Sequence, residues 1–136
     1  LILSEGAEFF SYPVENDSLN FKNYMNKNGI IPVYFHPKLF ISRMPVKIRE
    51  EEKFKDDLQN VYRKILKDGI SFTVPDIPVS FLQYVKNFKE QGFNIFLIDF
   101  SFEKPSGNRF NTILKRYKQS QQIQPSTNFN YKRVLK

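Results

Sequence analysis

The chain has 136 residues, enough for one domain built on one hydrophobic core. With no cysteine it has no disulfide, no thiolate-ligated cluster and no cysteine nucleophile of its own. The net charge of +7 is localised: residues 103–136 carry eight Lys or Arg against one acid, Glu103, whereas residues 1–102 balance at 13 of each sign.

No run of apolar residues approaches the length of a membrane span. The start, "LILSEGAEFF", lacks a basic n-region, a cleavage pattern and an initiator methionine, so the chain reads as a fragment or processed product without a signal peptide. A cytoplasmic location without membrane contact is the matching expectation. "LIL" at 1–3 reads as the end of a buried strand. In "NDSLNFKNYMNKNG", Asn16, Asp17 or Ser18 can cap a helix with Leu19, Tyr24 and Met25 on its apolar face, and Gly29 can end it. "IIPVYF", residues 30–35, is β-branched and aromatic and reads as a strand, with Pro32 indicating an edge or an irregular start. Leu39 to Ile41 form a second apolar piece, followed by Arg43.

Residues 58–74 admit two readings. Leu58, Val61, Tyr62, Ile65 and Leu66 fall at helical spacing, with Gly69 as a cap. Asp68-Gly69 between "VYRKIL" and "ISFTV" is equally a hairpin signal. Further on, Asp76 can cap a helix through "IPVSFLQYVKNFKEQG", with Phe81, Leu82, Val85 and Phe88 as its apolar stripe and Gly92 as its left-handed end. "FNIFLIDF" is apolar almost throughout, the pattern of a strand covered on both faces. Phe110, Ile113, Leu114 and Tyr117 then mark a helix whose other face carries Lys115, Arg116 and Lys118. Helix, buried strand and helix in succession make an α/β segment of residues 1–119; residues 120–136 form a polar, basic C-terminal tail.

Phosphate-loop, zinc-ligand and nucleophile-elbow spacings are all absent. The lone histidine, His36, lies at a strand-to-turn corner before Pro37 and fits a structural role better than a catalytic one. Asp99 ends the 93–100 strand, the position from which parallel α/β folds build their sites. The plainer role for it is capping the loop or pairing with Arg43 or Arg109. Arg43 is in turn a candidate anion anchor. Arg109, Lys115, Arg116, Lys118, Lys132 and Arg133 form a candidate polyanion surface. With Phe110 and Tyr117 assigned to the core, Phe129 and Tyr131 remain as candidate base-stacking rings.

Four pieces in order, "PKLFISRMPV", "VYRKILKDGISFTV" leading into "PDIPVSFL", "QGFNIFLIDFS" and "NFNYKRVL", resemble the closing part of the collagenase-like peptidase family, over roughly residues 30–135. The resemblance implies the C-terminal part of a (β/α) barrel, with the rest supplied by upstream sequence or a partner chain. It also implies the hairpin at 61–74, and Arg43 and Asp99 as site-shaping residues. The activity it implies is that of a hydrolase or of an enzyme of oxygen-independent RNA hydroxylation. Hydroxylation-linked members carry four cysteines for an iron–sulfur cluster, which here would have to come from upstream sequence or a partner. The other reading is a non-enzymatic module that binds RNA or an acidic protein through its basic end.

Overall fold

A computed structural model describes residues 10–13, 17–43, 51–104, 106–128 and 131. They form a mixed α/β structure of two small sheets and three helices, and no closed barrel. The elements in chain order are α1 (Ser18–Asn23), β1 (Ile30–Phe35), β2 (Phe40–Ser42), β3 (Glu51–Lys55), β4 (Val61–Lys67), β5 (Ile70–Pro75), β6 (Val79–Ser80), α2 (Val85–Glu90), β7 (Ile95–Ile98) and α3 (Gly107–Gln119), with a 3₁₀ turn at Leu82–Tyr84 leading into α2. The strand expected at 1–3 lies outside the described residues.

One sheet has the order β6-β1-β7, with β7 parallel and β6 antiparallel to β1. The other is antiparallel, in the order β2-β5-β4-β3. Residues 61–75 are a hairpin, which decides against the helix that the spacing also allowed. Asp68 and Gly69 both take positive φ, 51° and 75°, the twist of a two-residue turn between right-handed strands. Ile65 then lies opposite Phe72 and Tyr62 stacks on Phe54 across the ladders, where a helix would have placed Tyr62 and Ile65 on one stripe.

Two expectations are corrected and one is narrowed. β1 is the central strand of its sheet, so of the two readings of Pro32, an edge or an irregular start, the irregularity is found: the register shifts between Pro32 and Tyr34. Asp76 caps no helix: its carboxylate is taken by Lys53 at 3.2 Å and Arg63 at 3.3 Å, and the helical segment begins only at Leu82, after β6. β7 is an edge strand whose Leu97 is 43% exposed, so its apolar run is not covered on both faces.

Local chemistry sets the helix ends. Asp17 caps α1 by accepting from the Asn20 N–H at 2.9 Å, and Ser106 caps α3 by accepting from the Arg109 N–H. Gly92 takes φ of 101° after α2, as its cap position requires. The face of α1 that enters the core is Phe21, while Leu19 and Met25 are exposed.

Aromatic rings dominate the core. Phe21 meets Tyr12, Phe88 and Phe93 edge-on at centroid distances of 5.8, 5.1 and 5.9 Å, the geometry that aromatic quadrupoles favour. The polar stretch after α3 contributes to this core. Ile123 is buried, Thr127 bridges to Val79, and Tyr131 stacks on Tyr84 at 4.3 Å. Burial and the neighbouring Tyr84 push the Tyr131 phenol up to about 12, and its ring is not available to stack on a base.

Gly29 is where the backbone passes closest to this cluster. A Cβ there would lie 2.5 Å from ring atoms of Phe10 and Tyr12, while its N–H donates to the Tyr12 hydroxyl at 3.2 Å. Gly29→Ala is expected to destabilise the fold by about 1–3 kcal/mol through overpacking. A urea midpoint equal to that of the parent would show that the two rings move aside at no cost.

Candidate functional site

Strands β1 and β7 run in parallel and end side by side, and the Asp99 N–H continues the ladder by donating to the Tyr34 carbonyl at 2.8 Å. Beyond this edge the chain turns through residues 99–104 and enters α3. The Tyr34 ring is fully buried, so its hydroxyl has no access to bulk water and needs partners from the protein. It donates to Glu103 Oε1 and accepts from Arg109 Nη2 at 2.9 Å. Arg109 Nε lies 3.7 Å from Glu103 Oε2, and the guanidinium carbon is 5.8 Å from the Tyr34 ring centre. His36, 4% exposed, stands edge-on to Tyr34, its Nδ1 being 3.9 Å from Glu103 Oε1 and without a hydrogen-bond partner among the described residues.

Each group in this cluster sets the protonation of the next. Burial, followed by the hydrogen bond to Glu103, raises the Tyr34 phenol well above its usual range, and Arg109 only partly offsets this. Tyr34 therefore remains a donor. Burial is also the largest influence on His36 and lowers its pKa, with the Arg63 charge acting in the same direction. Glu103, a backbone hydrogen bond at Asp76 and the Asp99 charge pull the other way. Burial wins, so the ring is neutral at pH 7 and its approach to Glu103 is not an ion pair.

The loop that delivers Glu103 is fastened at several points. Asp99 Oδ1 accepts from the Ser101 N–H at 2.8 Å and from the Ser101 hydroxyl. Lys67 donates to the Ser101 carbonyl, and Arg63 Nη2 donates to the Phe102 carbonyl at 2.7 Å. Phe102 is buried against Phe72, 5.5 Å away. Lys67, Arg63 and Phe72 all belong to the hairpin, so the antiparallel sheet holds the loop that the parallel strands begin. Two cavities flank Lys104. One, of about 360 Å³, is mainly apolar and lies among Phe100, Phe110, Glu103, Lys104, Arg109 and the first turn of α3. The other, of about 460 Å³, is polar and lies among Lys53, Arg63, Asp76 and Lys104.

The structure brings together some of the residues that the sequence singled out and separates others. Asp99 stands at the strand end, but its carboxylate bends back onto Ser101 as a loop cap, and among the described residues it has no ion pair with Arg43 or Arg109. Arg43 follows β2 in the other sheet and is exposed. His36 belongs to the cluster. Arg109 is bound to Tyr34 and Glu103 instead of lying open with Lys115, Arg116 and Lys118, which are exposed on α3. Lys132 and Arg133, and the candidate stacking ring Phe129, lie outside the described residues. Phe110, assigned to the core by its spacing, is 50% exposed.

Tyr34, Arg63, Glu103 and Lys104 escaped the sequence reading. Tyr34 resembles any other apolar member of β1, and its partner lies 69 residues away. The one available signal was Glu103 itself, a single acid among eight bases.

The chain matches no protein-family model, no curated protein and no solved structure. The sequence has no cysteine, and among the described residues no three metal-binding side chains converge.

The His36 arrangement has a pH consequence. Burial holds the folded pKa below the unfolded value of 6.5, so the unfolded chain takes up the proton first. Stability is then undiminished above about pH 6.5 and falls as the pH drops below it. His36→Gln is expected to flatten the urea midpoint between pH 7 and 5 relative to the parent. Parallel profiles for the two proteins would show that the ring is not held neutral.

Proposed function

We propose that this chain is the closing part of a collagenase-like peptidase-family enzyme, a hydrolase or an RNA-hydroxylating enzyme, and that the ends of β1 and β7 form part of its active face. The observation that carries the reading is the parallel β1–β7 pair, which ends beside the Tyr34–Glu103–Arg109 cluster and two cavities. Sites of parallel α/β folds gather at the carboxyl ends of strands, where the following loops meet. The hairpin at 61–75, which the family resemblance also implies, supports the reading from a second direction. In this proposal the catalytic groups lie mainly on other parts of the enzyme, and Arg109 and Asp99 shape the rim that receives substrate.

The natural protein carrying Asp99→Asn or Arg109→Lys is expected to lose turnover by roughly tenfold or more, the scale of a misplaced substrate. Met25→Ala, at a residue 99% exposed, should leave it unchanged. Turnover is measured as cleavage of a denatured-collagen peptide mixture and as hydroxylated nucleosides in cellular RNA. Parent-like turnover in both variants, or loss only where the melting temperature also collapses, contradicts the assignment.

A second reading has its own observation. Lys115, Arg116 and Lys118 are exposed on one helix of a chain whose positive excess lies beyond residue 102. That surface suits a polyanion, and binding would weaken steeply with salt.

A further inference from the structure

The two cavities differ in character yet share Lys104. In the polar one, among the described residues, the cations Lys53, Arg63 and Lys104 surround one carboxylate, Asp76. Arg63 is only 9% exposed and is fixed in place by the Phe102 carbonyl at 2.7 Å and Asp76 at 3.3 Å. Lys104 is exposed, and among the described residues it has no ion pair. Positive charge therefore exceeds negative charge in a recess partly walled by a buried guanidinium. That is the composition of an anion site, and phosphate is the anion that arginine and lysine together suit best.

The apolar cavity next to it is lined by Phe100 and Phe110, whose centroids lie 5.8 Å apart. Phe110 remains half exposed although it is large and apolar. Its volume of about 360 Å³ is within the range of small-ligand pockets. An aromatic wall on one side of Lys104 and a cation cluster on the other fit a planar ring joined to a phosphate.

We propose that the two cavities form one subsite for a single nucleotide of a single-stranded RNA, with the base against Phe110 and the phosphate among Lys53, Arg63 and Lys104. A base can reach such a wall only when it is free of a duplex stack, which is why the strand is single. The exposed Lys115, Arg116 and Lys118 on α3 offer neighbouring phosphates further charge. An acidic peptide would use the cations but not the aromatic wall. The inference deepens the RNA branch of the proposed function and rests on it.

The test uses the natural protein and a fluorescein-labelled ten-nucleotide oligouridine, followed by anisotropy across a salt series, with uridine 5′-monophosphate, uridine, inorganic phosphate and oligoglutamate as competitors. Phe110→Leu keeps the apolar volume but removes the π face, and is expected to weaken binding roughly tenfold. Lys104→Gln should lower the salt slope by about 0.7, the loss of one phosphate contact on a single strand. Uridine 5′-monophosphate should compete better than either uridine or phosphate alone. RNA binding that both variants retain at parent strength overturns the subsite and leaves the polyanion surface standing. No RNA binding at all overturns the subsite together with the RNA branch. Oligoglutamate competing better than the nucleotide overturns the RNA assignment of the occupant.

Discussion

The Glu103 carboxylate joins parts of the chain that nothing else in the sequence would bring together. One oxygen accepts from Tyr34, on the central strand of the mixed sheet, and the other faces Arg109, in the first turn of α3. A phenol buried inside a sheet without a partner would cost a few kcal/mol, and so would an unpaired carboxylate in a partly closed site. Each group compensates for the other only when the 99–104 loop closes over the end of β1. The contact is worth more for the geometry it imposes than for net energy, since buried ion pairs gain little beyond the cost of desolvating them.

The antiparallel sheet takes its role from that loop. Arg63 and Lys67 reach from the hairpin to two successive carbonyls of the loop, and Phe102 packs against Phe72 of the hairpin. These same contacts create the cationic recess, because a guanidinium used to hold a carbonyl also presents its charge to the neighbouring cavity. Structural support and the charge of the recess thus share residues at this edge. Asp76 shows the same economy: it balances part of the charge while tying Lys53 of β3 to Arg63 of β4.

Features governed by neighbouring residues were legible in the sequence. The Asp17 cap and the left-handed Gly92 follow from backbone preferences that act over a few residues, whereas at Asp68-Gly69 the same local signals allowed a helix as well as the turn that is found. Features governed by distant partners were not. Asp76 has the chemistry of a helix cap, but two cations from neighbouring strands of the antiparallel sheet, Lys53 of β3 and Arg63 of β4, take its Oδ1. Pro32 reads as an edge or an irregular start, and only the pairing with β7, with its register shift, shows which. Phe110 has the spacing of a core residue, but Ile113 carries the buried face of α3 and leaves it half open. Tyr131 looked free in a polar stretch and is a core ring. At the site, His36 was placed correctly near the strand end, whereas the Tyr34–Glu103 pair could not be found by spacing at all.

A double-mutant cycle on Glu103→Gln and Arg109→Gln, read by urea unfolding, tests most directly whether one carboxylate locks α3 to the sheet. If Glu103 holds Tyr34 and Arg109 together, the two substitutions should couple by about 1 kcal/mol or more, because either one alone already breaks the link. Effects that add to within about 0.3 kcal/mol would mean that the two residues act independently and that the loop is held by the hairpin contacts alone.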